Sequence, residues 1–262
     1  MSAVSVIIPT LDEADYIEES LDATLAQTVS DIEVIVVDGG STDGTCEIVA
    51  DHPDDRIILQ ENGDIVDSLN VGLEKASGRF VARVDADAVP DPTRFERQIE
   101  LLERNPSVGL VGCFLRKKDP DTGATTLQRE PVESAAIRRR LPLHNPIPHS
   151  TWMVRREVYE TVGRYRSYRW EDYELLSRVI QQYEVRNLDA ALVTEYDRPD
   201  SIIETTPTWR AILASAVCGL LVTARGSFSF IDRILFGLRI GVLAGRRFAR
   251  IPVHTLSGLV PR

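Results

Sequence analysis

The chain has 262 residues, 43% of them hydrophobic, enough for one large domain or one domain with an appendage. Its formal net charge of −10 argues against general affinity for nucleic acid. The charge is uneven: residues 207–262 hold eight Arg, no Lys and one acid (+7), whereas residues 1–206 carry 22 basic and 39 acidic residues (−17), so the two parts are expected to meet different surroundings. Only Lys75, Lys117 and Lys118 are lysines, and an acidic, Lys-poor surface fits a high-salt cytoplasm, where screening weakens self-repulsion. Cys46, Cys113 and Cys218 are far apart and odd in number, which fits reduced thiols rather than a zinc site or a disulfide framework. The N-terminus opens directly on a strand pattern rather than a basic, apolar signal segment.

"VSVIIP" (Val4–Pro9) is a nearly continuous apolar run, the pattern of a strand buried on both faces. "DEADYIEESLDATLAQ" follows as a helix with Ile17, Leu21 and Leu25 on one face. "IEVIVVD" (Ile32–Asp38) is a second buried strand, ended by Gly39 and Gly40, and "STDGTCEIVADH" starts a short helix. "RIILQ" is a third strand, and "DIVDSLNVGLEKA" is helical with Ile65, Leu69 and Leu73 in register. "RFVARVD" (Arg79–Asp85) is a fourth strand. "DPTRFERQIELLERN" is a helix with Asp91 as cap and Pro92 at its first position. Strands alternating with helices predict an α/β fold with a doubly wound, mostly parallel sheet.

In such sheets ligands bind beyond the carboxyl ends of the strands. Thr10, Asp38 and Asp85 stand at those ends, so three separate stretches converge on one rim. The adjacent acids Asp85 and Asp87 repel each other unless solvent, a basic partner or a metal ion holds them; the plain alternative is an acidic loop capping the following helix, a task Asp91 serves better. A dinucleotide fold needs G-x-G-x-x-G after a strand, and neither "IIPTLDE" nor "DGGSTDGT" has that spacing.

"SVIIPTLDEADYIEESLDATLAQT", "EVIVVDGGSTDGT", "ENGDIVDSLNVGLEKASGRFVARVDADA" and "YRWEDYELLSR", in this order and spacing, resemble the family 2 glycosyltransferases of GT-A fold, from about Val4 to Asp200. The resemblance implies a nucleotide-sugar donor (UDP-, dTDP- or GDP-linked) and a divalent metal, Mg or Mn. It places Pro9, Thr10 and Glu13 near the nucleoside and makes Asp38 the acid that accepts a hydrogen bond from the base. Asp85 and Asp87 match the family's D-x-D element, Asp87 toward the metal and Asp85 toward the ribose or sugar, with the metal shared between them. Asp67, Asn70 and Gly72 match the acid, Asn and Gly around the helix after the third strand. Asp64 stands where glycine is common and Leu69 where many members carry Arg, so that Arg's donor-phosphate contact is missing; Asn70 reads equally as a packing residue.

Glu171 and Asp172 open a helix, where the helix dipole favours acids. They are two capping acids, or, as the family implies, Asp172 is the catalytic base of an inverting transfer with Glu171 beside the acceptor. His149, in "PHSTWMV", resembles the acceptor-side segment and reads otherwise as a structural histidine; Arg198, in "YDRPDS", is a candidate for the diphosphate. His52, His144 and His254 carry no motif.

Residues 1–206 therefore read as a GT-A catalytic domain, with 1–115 the nucleotide-sugar half and 116–206 the acceptor half. Residues 207–262 form a helical, apolar and basic extension. "AILASAVCGLLVTA" (Ala211–Ala224) is too short for the roughly 20 residues of a membrane span, and "ILFGLRIGVLAG" contains Arg239. With Arg225, Arg233, Arg246, Arg247 and Arg250 flanking them, these runs fit an interfacial hairpin on an anionic membrane, or a helix pair packed on the domain or another subunit. The membrane reading predicts a peripheral protein on the cytoplasmic face and a saccharide or lipid-linked acceptor, above all a polyprenyl- or dolichyl-linked glycan used in glycoprotein or surface-polysaccharide assembly. Transfer of a single sugar is expected, since the chain lacks the Q-x-x-R-W motif and long spans of processive members. Two alternatives stand: a polyprenyl-phosphate sugar synthase, whose acceptor needs no base, and a degenerate nucleotide-binding or assembly subunit. Oligomer formation remains open.

Overall fold

The computed structural model describes residues 3–61, 63–141, 144–166 and 171–197. In chain order the elements are β1 (Val4–Thr10), α1 (Ile17–Leu25), β2 (Ile32–Asp38), α2 (Thr45–Asp51), β3 (Ile57–Glu61), α3 (Ile65–Lys75), β4 (Phe80–Arg83), β5 (Ala88–Pro90) and α4 (Arg94–Arg104). There follow β6 (Val108–Lys118), β7 (Thr125–Gln128), α5 (Ser134–Arg140), a 3-10 turn at His149–Thr151, β8 (Met153–Arg155), α6 (Arg156–Val162), α7 (Glu171–Gln182) and β9 (Glu184–Tyr196). They build one sheet in the order β3-β2-β1-β4-β8-β6-β9-β5, with β7 paired to β6. The first four strands in that order are parallel. Beyond β4 the short strand β8 runs antiparallel to both β4 and β6, while β6 and β9 are parallel again.

The continuous apolar runs are explained by layers on both faces. Alternation sends Val6, Ile8, Val34 and Val36 to one face, where they meet Ile17, Leu21, Phe95 and Leu102. Ile7, Ile35 and Val37 go to the other, against Leu69, Leu73, Leu176 and Val179. Each such fully buried side chain is worth about 1.5–3 kcal/mol. Gly72 allows α3 to approach β1: a Cβ there would lie 2.6 Å from Ile7 Cγ2.

Three boundaries differ from the sequence expectation, each because polar groups are used locally. β4 ends at Arg83, since the Asp85 carbonyl accepts the Ala88 N–H at 3.0 Å and closes a turn. α4 starts at Arg94 rather than Pro92; the Asp91 carboxylate instead takes the Thr93 N–H (2.9 Å) and hydroxyl (2.7 Å), fixing the turn before the helix. α1 starts at Ile17, because residues 12–14 bind the loop after β2, with Asp12 in the left-handed region at φ 54°.

Candidate active site

The loops after β1 and β2 are joined by side-chain to main-chain bonds. Asp12 N–H donates to Ser41 Oγ (2.9 Å), Thr42 N–H to Asp12 Oδ1 (2.8 Å), Glu13 N–H to Thr45 Oγ1 (2.9 Å) and Ala14 N–H to Asp43 Oδ2 (2.9 Å). Asp38, at the end of β2, is 2% exposed. It accepts the Gly40 N–H (2.7 Å), the Ser41 N–H (2.9 Å) and the Ser41 hydroxyl. Burial alone would raise its pKa, but these bonds outweigh it and hold the carboxyl below its ordinary value. Asp38 is thus an anion at neutral pH, fixed at the rim. Beside it Pro9 and Thr10 are buried at the end of β1, and the Thr10 hydroxyl oxygen is buried without a hydrogen-bond partner among the described residues.

Past β4 the chain stays paired for one more residue, with Val84 N–H on the Ile7 carbonyl at 3.2 Å. The turn from Asp85 to Ala88 then carries both acids of the D-x-D element. Arg83 Nη2 lies 2.7 Å from Asp85 Oδ1. Lys117, on β6, pairs with Glu195 at 2.5 Å, and its ammonium also feels Asp87 and Asp85.

Facing this turn is the start of α7. Burial, with the Asp172 charge beside it, pushes Glu171 up to about 7. Burial raises Asp172 as well, partly offset by a 2.7 Å hydrogen bond from Asn145 Nδ2 to Asp172 Oδ2. Asn145 is itself oriented, since its Oδ1 accepts the Ile147 N–H at 3.0 Å. The charge of Asp85 reaches both Glu171 and Asp172, so the D-x-D turn and the E-D pair share one site.

His149 packs edge-on to Trp152, with ring centroids 4.7 Å apart, and shares a 2.8 Å hydrogen bond between Nε2 and the Tyr165 hydroxyl. Burial holds its imidazole well below the ordinary value, and the Arg83 cation adds to this; it is a neutral wall residue. Asn70 clamps the same wall: Oδ1 accepts the Tyr165 N–H and Nδ2 donates to the Tyr165 carbonyl, both at 3.1 Å. Both ends of that amide join α3 to the segment after α6, the packing role the sequence left open. Asp67 is exposed in the first turn of α3. Glu13 also anchors α1, its carbonyl accepting from Tyr16 and Ile17. His52 pairs with Asp22 (3.3 Å) and His144 with Glu130 (3.0 Å). Arg198 and residues 207–262 lie outside the described residues.

Sequence reasoning missed Asn145 and Arg83. Nothing local marks Asn145, which reaches Asp172 across 27 positions. Arg83 had a signal: a cation inside an apolar strand, two positions before an acid. Among the described residues no group of three or more His, Cys, Asp or Glu is placed to hold a metal.

A curled, largely parallel sheet with acid-bearing loops at its carboxyl rim defines a GT-A glycosyltransferase fold. A mannosyltransferase from Pyrobaculum calidifontis, solved in complex with GDP-Man and Mn2+, superposes with a TM-score of 0.64 at 21% identity, over 98% of this chain and 78% of that one. The chain belongs to glycosyltransferase family 2: residues 5–163 match the family described as "Glycosyl transferase family 2". It is 30% identical over 252 residues to the "Putative glycosyltransferase EpsE" of Bacillus subtilis, covering 88% of this chain and 87% of that protein. It is 28% identical over 200 residues to the "Amylovoran biosynthesis glycosyltransferase AmsE" of Erwinia amylovora, covering 74% of this chain and 75% of that protein. The match to the "Uncharacterized glycosyltransferase EpsJ" of Bacillus subtilis, 29% identical over 77% of this chain, spans 63% of that relative's length.

Proposed function

We propose that the protein is an inverting, metal-dependent glycosyltransferase. It moves one sugar from a nucleoside-diphosphate sugar to a hydroxyl of a saccharide or lipid-linked acceptor during assembly of a surface polysaccharide. The observation that carries this reading is the single site shared by the Asp85–Asp87 turn and the Glu171–Asp172 helix start, with Asp172 oriented by Asn145. The surface-polysaccharide assignment draws support from the amylovoran-biosynthesis relative.

In this reading Asp38 accepts a hydrogen bond from the base, while Pro9, Thr10 and Glu13 line the nucleoside. The buried Thr10 hydroxyl gains the partner it lacks among the described residues. Asp67 and Arg198 stand on the donor side, Arg198 toward the diphosphate. Two carboxylates on one turn are hard oxygen donors of the kind that would hold a divalent cation such as Mg or Mn. When bound, a Mg or Mn ion neutralises the charge of the departing nucleoside diphosphate. Asp87 would hold it, and Asp85 would serve the ribose or sugar as well.

Asp172 accepts the proton of the acceptor hydroxyl as its oxygen attacks the anomeric carbon from the face opposite the leaving group. Burial raises its pKa, which makes its ionised form a stronger base than an ordinary carboxylate. Glu171 and the neutral His149 shape the acceptor side. A phosphate acceptor is already an anion and needs no such base, so Asp172 favours a hydroxyl acceptor over a polyprenyl phosphate. Residues 207–262 would hold the enzyme on the cytoplasmic face of the membrane.

The test is release of nucleoside diphosphate from a panel of UDP-, dTDP- and GDP-sugars with and without Mn2+. Release from at least one donor, dependent on Mn2+ and abolished in Asp87→Asn, is expected. Full activity of Asp87→Asn in chelator would overturn the metal role, and silence with every donor would favour the assembly-subunit alternative.

A further inference from the structure

We infer that Tyr165 is a positioning residue that fixes the tautomer of His149: its hydroxyl donates to Nε2, so that the imidazole presents an Nδ1–H donor to an oxygen of the acceptor. The inference deepens the acceptor-side reading of His149 and rests on it. It assigns roles to Tyr159 and Tyr165, which lie outside the acid motifs.

Two rings hold the imidazole. Trp152 meets it edge-on at 4.7 Å, and Tyr165 tilts against it at 5.5 Å between centroids. Trp152 does not compete for the imidazole nitrogens, since its indole N–H donates to the Ile147 carbonyl at 2.8 Å. The segment carrying Tyr165 is itself tied down. Asn70 takes both main-chain groups of Tyr165, and Arg178 donates to the Gly163 (2.9 Å) and Arg164 (2.7 Å) carbonyls. His149 is held from its own side, its carbonyl accepting the Trp152 N–H at 3.1 Å. The 2.8 Å bond between Nε2 and the Tyr165 hydroxyl therefore joins two fixed supports.

The direction of that bond follows from counting protons. The Tyr159 hydroxyl is a second partner of the Tyr165 hydroxyl, with ring centroids 6.1 Å apart. A neutral imidazole has one N–H and one lone pair, and a hydroxyl has one proton to give. In one arrangement Tyr159 donates to Tyr165 and Tyr165 donates to Nε2, so every hydroxyl proton is used. In the reverse arrangement Nε2–H donates to Tyr165 and Tyr165 to Tyr159. The Tyr159 proton is then left without an acceptor among the described residues, in a side chain that is 8% exposed. A buried donor left unmade costs more than an ordinary hydrogen bond gains, so the first arrangement holds. The nitrogen that carries the proton is set by the bond the other nitrogen makes, and here that leaves Nδ1 protonated.

The consequence reaches the chemistry. With its lone pair on Nε2 taken by Tyr165, His149 cannot accept a proton from an acceptor hydroxyl, which leaves that task to Asp172. It can only give a hydrogen bond, and Nδ1 has no partner among the described residues. The ring is half-buried, and burial together with the Arg83 cation keeps it uncharged. The charge of Glu171 reaches Tyr165, so this N–H and the E-D pair serve one acceptor side. A hydroxyl-bearing sugar matches that set, one oxygen receiving from His149 while a hydroxyl gives to a carboxylate.

The tautomer is read by long-range proton–nitrogen correlation NMR of the full-length protein carrying isotope-labelled histidine, because a protonated and a bare ring nitrogen differ in shift and in coupling pattern. The His149 signal is assigned by its loss in His149→Asn. The wild type should show Nδ1–H, and Tyr165→Phe should move the ring largely to Nε2–H, the form that a free neutral imidazole prefers. A wild type with Nε2–H would overturn the inference. So would a Tyr165→Phe variant of unchanged melting temperature that stays entirely Nδ1–H. If Tyr165→Phe does not fold, the wild-type spectrum decides, since a bare Nε2 beside the hydroxyl requires the hydroxyl to donate.

The acceptor contact is read with octyl glycosides of the common hexoses as acceptors. Asn places its amide near the Nδ1 position and Gln near the Nε2 position. His149→Asn should therefore keep the acceptor KM within about threefold of wild type, while His149→Gln raises it about tenfold, the effect of one hydrogen bond. Donor KM should change less in both. Equal rises in the two variants would overturn the contact, as would a wild type that hydrolyses a donor yet transfers to no glycoside in the panel. Nε2–H in an active enzyme refutes the tautomer alone, whereas a wild type that uses no donor refutes the proposed function and the acceptor contact with it.

Discussion

Asp172 and Glu171 are neighbours in one buried place, and their chemistry follows from what each touches. Asp172 has a fixed donor in Asn145, whereas Glu171 is raised chiefly by burial and by the charge next to it. Asp172→Asn should lower turnover by about 10²–10⁴ while donor KM changes little, since a base acts on the acceptor proton. Steady-state kinetics on a hydroxyl acceptor checks this, and wild-type turnover would reduce Asp172 to a helix cap. The acidic limb of the kcat–pH profile should lie above the ordinary carboxylate range, because the base must be ionised. For Glu171 the folded value of about 7 exceeds the ordinary 4.5. Between these values the folded state holds more protons than the unfolded state, so stability contributed by this group is lost as pH rises through that window. Melting temperature measured from pH 4.5 to 7 should therefore fall less steeply in Glu171→Gln than in wild type.

At the scale of elements, the carboxyl rim of the sheet depends on how closely α3 lies on β1. A Cβ at Gly72 would meet Ile7 Cγ2, a methyl attached directly to the branched Cβ of a stiff side chain that cannot swing aside. Gly72→Ala should destabilise by about 1–3 kcal/mol despite the better helix propensity of Ala. Urea denaturation measures this, and combining the change with Ile7→Ala should recover part of the loss, because the two sites share one contact. The strands and helices of the first half were legible in the sequence, since burial on both faces leaves unbroken apolar runs and amphipathic helices leave a 3.6-residue period. Their ends were not. Asp91, Asp85 and Asp12 spend their polar groups in local turns, which shifts each boundary by a few residues without altering the hydrophobic pattern.

For the whole molecule, the charge division separates acidic residues 1–206 from basic residues 207–262. Removing residues 207–262 takes away +7 of charge and the longest apolar runs of that tail. Nucleotide-sugar binding should survive, because apart from Arg198 the assigned donor, metal and base residues lie within the described elements and loops of residues 1–206. Binding to anionic liposomes should disappear, and transfer to a lipid-linked acceptor should fall far more than hydrolysis of the donor by water. Surface charge acts over roughly 8–10 Å at ordinary ionic strength. Replacing Leu220, Leu221, Leu235 and Leu238 with Ser should therefore release the protein at high salt, whereas neutralising Arg246 and Arg247 should matter mainly at low salt. Full-length protein that never sediments with liposomes at any salt would make the tail a packing or oligomer element. Among the described residues no helix is long and apolar enough to cross a membrane.

The sequence by itself determined the sheet-and-helix architecture and the family, because both rest on local order: apolar periodicity for the elements, and short motifs in fixed succession for the resemblance. It also singled out Asp38, Asp85, Asp87 and Asp172, since each belongs to a motif readable in a few adjacent letters. Only the tertiary structure decided which of these groups meet. Asn145 reaches Asp172, Asn70 clamps the main chain of Tyr165 across 95 positions, and Arg83 lies 2.7 Å from Asp85 of the D-x-D turn. Such contacts join distant stretches through the folding of the sheet, and electrostatic coupling depends on separation in space and on burial, neither of which a linear pattern encodes.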